Sequence, residues 1–361
     1  MRTLPFSIII CALLLCNCSS NDNENIIINA PETSNPEIYF PPLNSDEWES
    51  KTPESLNWNS HEISTLLNYL EEKNTKGFMI LHNGKIVIEA YMNQHSESSS
   101  WYWASAGKTL TSTIAGIAED EDLIALNNKV SDYIGDGWTS LSLEKENLIT
   151  CKHLLSMTSG IDDTQGDNVS AENLQYTADA GTRWAYHNVY VKMQDVIAQS
   201  SEDSWNDYFN IKLKNKIGMT GNWVAINDLN VFWSTTRSMA RFGLLIYANG
   251  MWNNTRIVSN SYLNQATNTS QNINLSYGYL WWLNGKSSYH LPQSQFEFPG
   301  KLIPNAPDDM FAALGKNDQK IYVVPSKKLV IIRMGESADD ENFALSTFDN
   351  DLWEKINTVI N

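Results

Sequence analysis

The spacing of Ser105 and Lys108 is the first feature of the sequence that can carry chemistry. Both lie in the run Ser-Ala-Gly-Lys at residues 105–108. Residues three apart share one face of a helix, so the Ser105 hydroxyl and the Lys108 amine can meet. A serine hydroxyl becomes a strong nucleophile when a base takes its proton, and a lysine serves as that base when burial lowers its pKa. A serine that opens a helix also offers its own N–H to an oxyanion, so the pattern predicts attack on a carbonyl group.

The spacing alone is weak evidence, because about one chance Ser-x-x-Lys match is expected in a chain of this length. A second match runs from Ser142 to Lys145. Context separates the two, since Ser105 opens an apolar run of small residues that reaches Ala118, whereas Ser142 lies in a polar segment. On this motif alone, the alternative is a helix-capping serine with a solvated lysine.

Tyr186 and Asn188 form a second candidate for chemistry. They follow residues 181–184 (GTRW), which predict a turn, whereas the Tyr-x-Asn runs at 247–249 and 262–264 lie in or beside predicted helices. A tyrosine serves as a base if its pKa falls, and a fall from about 10 to about 7 corresponds to about 4 kcal/mol of differential stabilisation of the phenolate. We expect a buried ammonium close by to cause that fall. The Asn188 amide is expected to hold that lysine or a substrate carbonyl.

Gly315 and Lys316 are the third candidate element. Gly315 ends a predicted strand, and a glycine there lets the backbone approach a substrate closely. The N–H of Lys316 is then a candidate for the second oxyanion donor. The alternative is an ordinary glycine between a strand and a turn.

These three elements, in this order, resemble the serine β-lactamase and penicillin-binding-protein superfamily. More narrowly, they resemble its branch of class C β-lactamases, serine esterases and 6-aminohexanoate-dimer hydrolases. The resemblance extends from about residue 77 to the C terminus and includes the segments between the motifs. Residues 150–160 (TCKHLLSMTSG) are similar to the family's T-x-x-H-L-L-x-x-T-S-G, and residues 181–188 (GTRWAYHN) to its G-x-x-F-x-Y-S-N. Further matches are residues 240–245 (ARFGLL), 277–282 (YGYLWW), 319–325 (QKIYVVP) and 329–333 (LVIIR).

The resemblance implies a role for each candidate residue. Ser105 is the acylated nucleophile, Lys108 and Tyr186 form the base pair, and Asn188 matches the family's third polar residue. The N–H groups of Ser105 and Lys316 supply the oxyanion site.

The third motif departs from the family pattern. β-Lactamases and penicillin-binding proteins carry Lys-Thr-Gly there, and the lysine helps to hold the substrate carboxylate. Here the aligned residues 313–315 are Ala-Leu-Gly, so that cation and hydroxyl are replaced. The esterase or amidase branch therefore fits better than a β-lactamase.

The composition excludes several classes of protein. The chain has 361 residues, of which 42% are hydrophobic, and this is typical of a globular protein. Its net charge of -17 and pI of about 4.7 oppose a nucleic-acid partner, which needs a basic face. The sequence carries no His-Glu-x-x-His run and no cysteine pair after residue 18, so we expect neither a metal nor a cofactor. The expected partner is a small ester or amide.

The first 18 residues resemble a bacterial lipoprotein signal. Arg2 precedes an apolar stretch, residues 8–15, which is too short to span a bilayer. Cys18 is the expected lipid anchor, with Cys16 as the alternative. Residues 19–60 are rich in Asn, Pro, Ser and Glu and predict a flexible tether. We expect an exported lipoprotein of the outer membrane, cell surface or periplasm that meets the membrane through its lipid alone.

Strand patterns near both ends of the remaining chain enclose a helical middle. Asn-Gly at 83–84 predicts a hairpin over residues 77–91. Helices are predicted over 105–118, 238–249 and 342–360, and late strands over 277–283, 310–314, 320–324 and 328–334. The expected hydrolase domain, residues 61–361, is therefore of the α/β (α+β) class and β-lactamase/transpeptidase-like, with an antiparallel sheet flanked by helices and a mostly helical lobe at approximately 119–233.

The predicted function is a serine hydrolase that cleaves an ester or amide through an acyl-enzyme on Ser105. The first alternative is a D-Ala-D-Ala-type peptidase or β-lactamase with an altered third motif. The second is a non-catalytic surface binding protein on the same scaffold. Four tryptophans are candidates for the wall of an apolar acyl pocket, although the core is their more common place: Trp101, Trp103, Trp281 and Trp282.

Overall fold

The structure is a computed structural model that describes residues 38–339 and 345–361. The predicted signal, the anchor candidate Cys18 and the tether up to residue 37 lie outside these residues. Among the described helices, none combines the length and the apolar character that crossing a membrane requires.

Residues 38–60 pack on the domain, which differs from the tether predicted there. The N–H of Tyr39 donates to the Asn83 carbonyl at 2.9 Å, and Trp48 Nε1 donates to the Gly84 carbonyl at 2.7 Å. Polar composition suggested a tether, but the few aromatic residues in this segment cover the first hairpin.

The described chain alternates between strands and helices, with short 3₁₀ turns between them. The strands are β1 (Thr75–His82), β2 (Lys85–Tyr91), β3 (Trp101–Tyr102), β4 (Asn222–Ile226), β5 (Leu229–Ser234), β6 (Met251–Trp252), β7 (Thr255–Arg256), β8 (Trp282–Leu283), β9 (Ser288–Tyr289), β10 (Phe298–Pro299), β11 (Phe311–Gly315), β12 (Gln319–Val324) and β13 (Leu329–Gly335). The helices are α1 (Ile63–Glu72), α2 (Lys108–Asp120), α3 (Ser131–Ile134), α4 (Leu143–Glu146), α5 (Cys151–Leu155), α6 (Lys192–Ser201), α7 (Trp205–Phe209), α8 (Thr236–Tyr247), α9 (Asn260–Ala266) and α10 (Thr347–Ile360).

A six-stranded antiparallel sheet forms the centre, in the order β2-β1-β13-β12-β11-β8. The first and last strands of the described residues, β1 and β13, are neighbours in it, so the predicted sheet built from both ends is confirmed. The β1–β2 turn has positive φ at Asn83 (49°) and Gly84 (82°), as a two-residue hairpin requires. The predicted strand 277–283 is shorter than expected, since only Trp282–Leu283 joins the sheet.

Helices cover both faces of this sheet. A Cβ at Gly243 of α8 would lie 2.5 Å from Val330, so α8 packs directly on the side chains of β13 that point to one face. On the other face, the Arg333 guanidinium lies 5.2 Å from the ring centre of Phe348 in α10. Side chains alternate along a strand, so Val330 and Arg333 point in opposite directions.

The lobe predicted at 119–233 contains the helices α3 to α7, but residues 156–187 between α5 and α6 are irregular, and the lobe ends in a hairpin. Strands β4 and β5 pair with β3 in a three-stranded sheet, in the order β3-β5-β4. Aromatic and β-branched residues flank Asn227-Asp228, and Asn227 adopts the left-handed conformation with φ 54°. That pattern favours a tight turn between strands, and it overrides the helical assignment of this stretch.

Candidate active site

Ser105 lies on a 3₁₀ turn, Ala104–Gly107, between β3 and α2. Ala104, just before it, has a φ of 47°, a left-handed conformation that a residue with a side chain rarely adopts. The turn redirects the chain from the strand into a helix whose residues are buried from Lys108 to Ala118. Ser105 itself is half-buried.

The predicted nucleophile, base pair and supporting amide meet at one point. Lys108 Nζ lies 3.0 Å from Ser105 Oγ and 3.1 Å from Asn188 Oδ1. The Tyr186 phenol shares a side-chain hydrogen bond with Ser105. Two segments about 80 residues apart in sequence therefore converge on the Ser105 hydroxyl.

Burial lowers the pKa of Lys108 to about 7. The cause is the loss of water around the ammonium, which is partly offset by the negative charge of Asp167. The rings of Tyr186 and Tyr190 lie 5.0 and 4.4 Å from Nζ, and such contacts also favour the charged amine. Desolvation outweighs these effects, so a large share of Lys108 is neutral at physiological pH.

The pKa of Tyr186 moves in the opposite direction from the prediction. Burial raises it to about 12, although the hydrogen bond with Ser105 lowers it somewhat. The prediction relied on a charged Lys108, and a lysine that is itself largely neutral supplies little positive potential to stabilise a phenolate. Trp282 stacks on the Tyr186 ring at 5.6 Å and 28°, which fixes the orientation of the phenol.

Asn188 connects Lys108 to an acidic loop that the sequence did not identify. Its Nδ2 donates to Asp167 Oδ1 at 2.8 Å while its Oδ1 accepts from Lys108. The preceding His187 is buried, and its Nδ1 accepts from the Val189 N–H at 3.0 Å, capping the 3₁₀ turn that carries Asn188. The family segment gave no signal for Asp167, because it lies in an irregular loop after the recognised motif.

Gly315 makes its close approach to the backbone around the nucleophile. A Cβ at this position would lie 2.5 Å from the carbonyl oxygen of Trp103 and 2.9 Å from the nitrogen of Ala106. The end of β11 can therefore lie against the Ser105 turn only because residue 315 has no side chain. Lys316 follows on the solvent side and lines the same pocket as Ser105.

The pocket above Ser105 has a volume of about 440 Å³. Its acidic wall contains Asp163, which pairs with Arg183 at 2.6 Å, and the exposed Asp167. The same pocket has an apolar wall, and its residues come from the β5 hairpin and from a late loop: Leu229, Val231 and Pro292. Sequence reasoning missed the apolar wall because it assigned the hairpin to the helical lobe.

Two other groups of residues lie away from the pocket. The rival pair is separate, since Ser142 precedes the short helix α4 and Lys145 pairs with Asp179 at 2.7 Å. None of the four candidate tryptophans lines the pocket. Trp103, Trp281 and Trp282 are core residues, and Trp101 is half-buried beside Trp233.

Comparisons with known proteins agree with this geometry. The family model described as Beta-lactamase matches residues 69–351. An uncharacterized protein of Alkalihalophilus pseudofirmus is 24% identical over 294 residues, which are 70% of this chain and 81% of that protein. The structure of a proposed 6-aminohexanoate-dimer hydrolase from Bacillus anthracis has a TM-score of 0.67 at 20% identity, and the match covers 88% of this chain and 89% of that one. The structure of a proposed β-lactamase from Bacteroides dorei has a TM-score of 0.65 at 16% identity, and the match covers 84% of this chain and 99% of that one. At these identities the structural likeness shows the fold, and the predicted β-lactamase/transpeptidase-like architecture is confirmed.

Proposed function

The chain belongs to the β-lactamase family, and from that premise we propose that it is a serine hydrolase that cleaves an ester or amide through an acyl-enzyme on Ser105. One observation carries the proposal. The Ser105 hydroxyl lies 3.0 Å from a buried lysine whose pKa is lowered to about 7. An amine that is neutral at working pH and within hydrogen-bond reach is what a serine nucleophile needs.

Acylation begins as the neutral Lys108 amine accepts the Ser105 proton and Oγ attacks the substrate carbonyl carbon. The carbonyl π electrons move to its oxygen, which becomes the oxyanion. When the tetrahedral intermediate collapses, the leaving group departs with a proton from Tyr186, whose high pKa keeps the phenol protonated. The Lys108 ammonium then returns a proton to Tyr186. Water repeats the sequence on the acyl-enzyme, restores Ser105 and releases the acid.

Two backbone N–H groups are the proposed oxyanion donors, those of Ser105 and Lys316. Both residues line the pocket, and Gly315 allows the two backbone segments to touch. Donors fixed in place before the reaction stabilise the developing charge without reorganising.

The chemistry of the pocket favours a substrate other than a penicillin. Ala313 and Leu314 are buried and have hydrocarbon side chains, which carry neither the cation nor the hydroxyl of the family's Lys-Thr-Gly motif. The exposed carboxylate of Asp167 repels an anionic group in the same pocket. A neutral or cationic ester or amide therefore suits the site better.

A substrate panel with matched serine variants tests the proposal. The purified protein is incubated with short p-nitrophenyl esters, an aminohexanoate dimer and nitrocefin. We expect Ser105→Ala to lose turnover by about 10³-fold or more, while Ser142→Ala, at the rival Ser-x-x-Lys run, keeps wild-type rates. Intact-mass analysis after a fluorophosphonate probe should find one adduct on the wild type and none on Ser105→Ala. Equal turnover by Ser105→Ala and wild type would remove Ser105 as the nucleophile.

Lys316 supports a second candidate function, a D-Ala-D-Ala-type peptidase or β-lactamase. Its exposed amine lines the pocket and offers a cation to a substrate carboxylate from a new position. Covalent labelling of Ser105 by a fluorescent penicillin, lost in Lys316→Met, would favour this reading. If the folded protein takes neither the penicillin nor the fluorophosphonate, a non-catalytic binding protein is the better description.

A further inference from the structure

The two proposed oxyanion donors belong to different sheets. Ser105 follows β3, which is an edge of the three-stranded sheet, and Lys316 follows β11 of the six-stranded sheet. An oxyanion site works only if its donors keep a fixed spacing, because small displacements weaken both hydrogen bonds. The contacts that join these two sheets beside the pocket therefore bear on catalysis.

On one side, the turn that carries Lys316 is tied to the large sheet. Asn317 and Asp318 both adopt left-handed conformations, with φ of 59° and 58°. The buried Arg333 of β13 donates from Nη1 to the carbonyl oxygens of Asn317 and Asp318 at 2.9 and 3.0 Å. Gln319 Nε2 donates to the Asn317 carbonyl at 2.8 Å. These bonds fix the turn relative to β13 but not relative to Ser105.

The side chain of Asn317 makes the connection to the other sheet. Its Nδ2 donates to the Tyr102 hydroxyl at 2.6 Å. Tyr102 is the last residue of β3 and lies three residues before Ser105. The Asn317 Oδ1 is buried and has no hydrogen-bond partner among the described residues, so Tyr102 anchors this amide. Asparagine suits the position, because it tolerates the left-handed backbone and still carries a polar side chain.

We infer that Tyr102 and Asn317 are positioning residues that set the spacing between the N–H groups of Ser105 and Lys316. Together with the contact of Gly315 against Trp103, their hydrogen bond holds the two donors on one oxyanion. Neither side chain takes part in proton transfer. The inference rests on the proposed hydrolase function, and it predicts that loss of the bond weakens transition-state stabilisation more than substrate binding.

Tyr102→Phe removes the hydroxyl and keeps the ring. The ring packs on Trp233 at 5.4 Å, and phenylalanine preserves that contact. Tyr247→Phe is the matched control, because Tyr247 also bonds an asparagine, Asn83 at 2.7 Å, but outside the pocket. We expect Tyr102→Phe to lower kcat for a p-nitrophenyl ester by about tenfold with KM unchanged, since complete loss of an oxyanion donor costs about 10²–10³-fold. The control is expected to keep the wild-type kcat.

Two further measurements separate positioning from simple folding support. A boronic acid that forms a tetrahedral adduct on Ser105 should lose affinity by the same factor as kcat/KM. Asn317→Gly keeps the left-handed turn and removes the amide, and the Tyr102→Phe/Asn317→Gly double variant should be no slower than either single variant. Thermal unfolding checks that each variant is folded. If Tyr102→Phe does not fold, the kinetics of Asn317→Gly decide whether the positioning role holds.

The outcomes distinguish this inference from the proposed function. Wild type and Ser105→Ala are compared first, and equal turnover would refute the function itself. If Ser105 is required, a fall in kcat of less than about threefold against Tyr247→Phe overturns the positioning role. A larger fall in kcat also overturns it if Tyr102→Phe binds the boronic acid as tightly as wild type does. The same holds if the effects of Tyr102→Phe and Asn317→Gly on kcat simply add in the double variant.

Discussion

The pH dependence of kcat/KM identifies the group that takes the proton from Ser105. Burial sets the pKa of Lys108 at about 7 and raises that of Tyr186 to about 12. If neutral Lys108 is the base, kcat/KM rises about tenfold per pH unit below about pH 7 and then levels. If the Tyr186 phenolate were the base, the rate would still be rising far above pH 9.

The lowered pKa of Lys108 greatly increases the fraction of the residue that is a neutral amine. An ordinary lysine, with a pKa of about 10.5, is neutral in roughly one molecule in a thousand at about pH 7.4, whereas at a pKa of about 7 more than half is neutral. The difference corresponds to about 5 kcal/mol against the ammonium, and it arises from burial. Asp167 opposes it, because its negative charge favours the ammonium.

The assay measures initial rates with a p-nitrophenyl ester from pH 5 to 9, at a wavelength where the phenol and phenolate products absorb equally. Asp167→Asn keeps an acceptor for Asn188 and removes the charge, so the acidic limb should move to lower pH. His187→Asn is the control, since burial lowers the pKa of His187 and this residue also lines the pocket. The Asp167 charge raises the pKa of both Lys108 and His187, so the His187 variant decides between them. Loss of the acidic limb in His187→Asn would assign it to His187 and refute the lysine base.

Two other substitutions test the same site. Lys108→Met should raise the free energy of unfolding by a few kcal/mol at about pH 6, measured by urea denaturation. The reason is that the lowered pKa of native Lys108 reflects the free-energy cost of burying its ammonium, and this cost is fully present below about pH 7. As pH rises from about 7 to about 10.5 that cost disappears, so the advantage of Lys108→Met should vanish; a difference independent of pH would contradict the assigned pKa. Gly315→Ala should lower kcat by about 10²-fold, since its Cβ meets the Trp103 carbonyl oxygen at 2.5 Å, and stopped-flow rates measure this. Gly107→Ala, whose Cβ has no neighbour closer than 3.8 Å, should stay active; equal loss in both variants would refute the close-approach argument.

The sequence predicted the parts of the fold that have strong local signals. Asn83-Gly84 defines the first hairpin, and continuous apolar runs define β12 and β13. Two segments were assigned differently because composition outweighed a local pattern. Residues 38–60 are polar overall yet pack through Tyr39 and Trp48. Residues 222–234 were included in the helical lobe yet form the β4–β5 hairpin. Lipid attachment at Cys18 and export stay predictions.

For the site, the sequence supplied the residues but not their protonation states. Ser105, Lys108, Tyr186 and Asn188 lie together, yet the direction of the Tyr186 pKa depends on how much water reaches it. No sequence pattern reports that quantity. Contacts between distant segments, such as Asn188 with Asp167, also have no local signal, because neither residue's neighbours in the chain reveal its partner in space.

In the proposed mechanism, burial divides the acid and base roles between Lys108 and Tyr186. Loss of water favours the neutral form of any ionisable group, so one enclosure lowers the pKa of an amine and raises that of a phenol. Around Ser105 the result is a lysine with a pKa of about 7 and a tyrosine with a pKa of about 12. At neutral pH a large share of the lysine lacks a proton and the tyrosine holds one, so a proton acceptor and a proton donor flank the same hydroxyl. A site that charged Lys108 in order to ionise Tyr186 would need two opposite charges in one buried space, which costs far more desolvation than two neutral groups. The aromatic enclosure therefore favours lysine as the base and tyrosine as the donor to the leaving group.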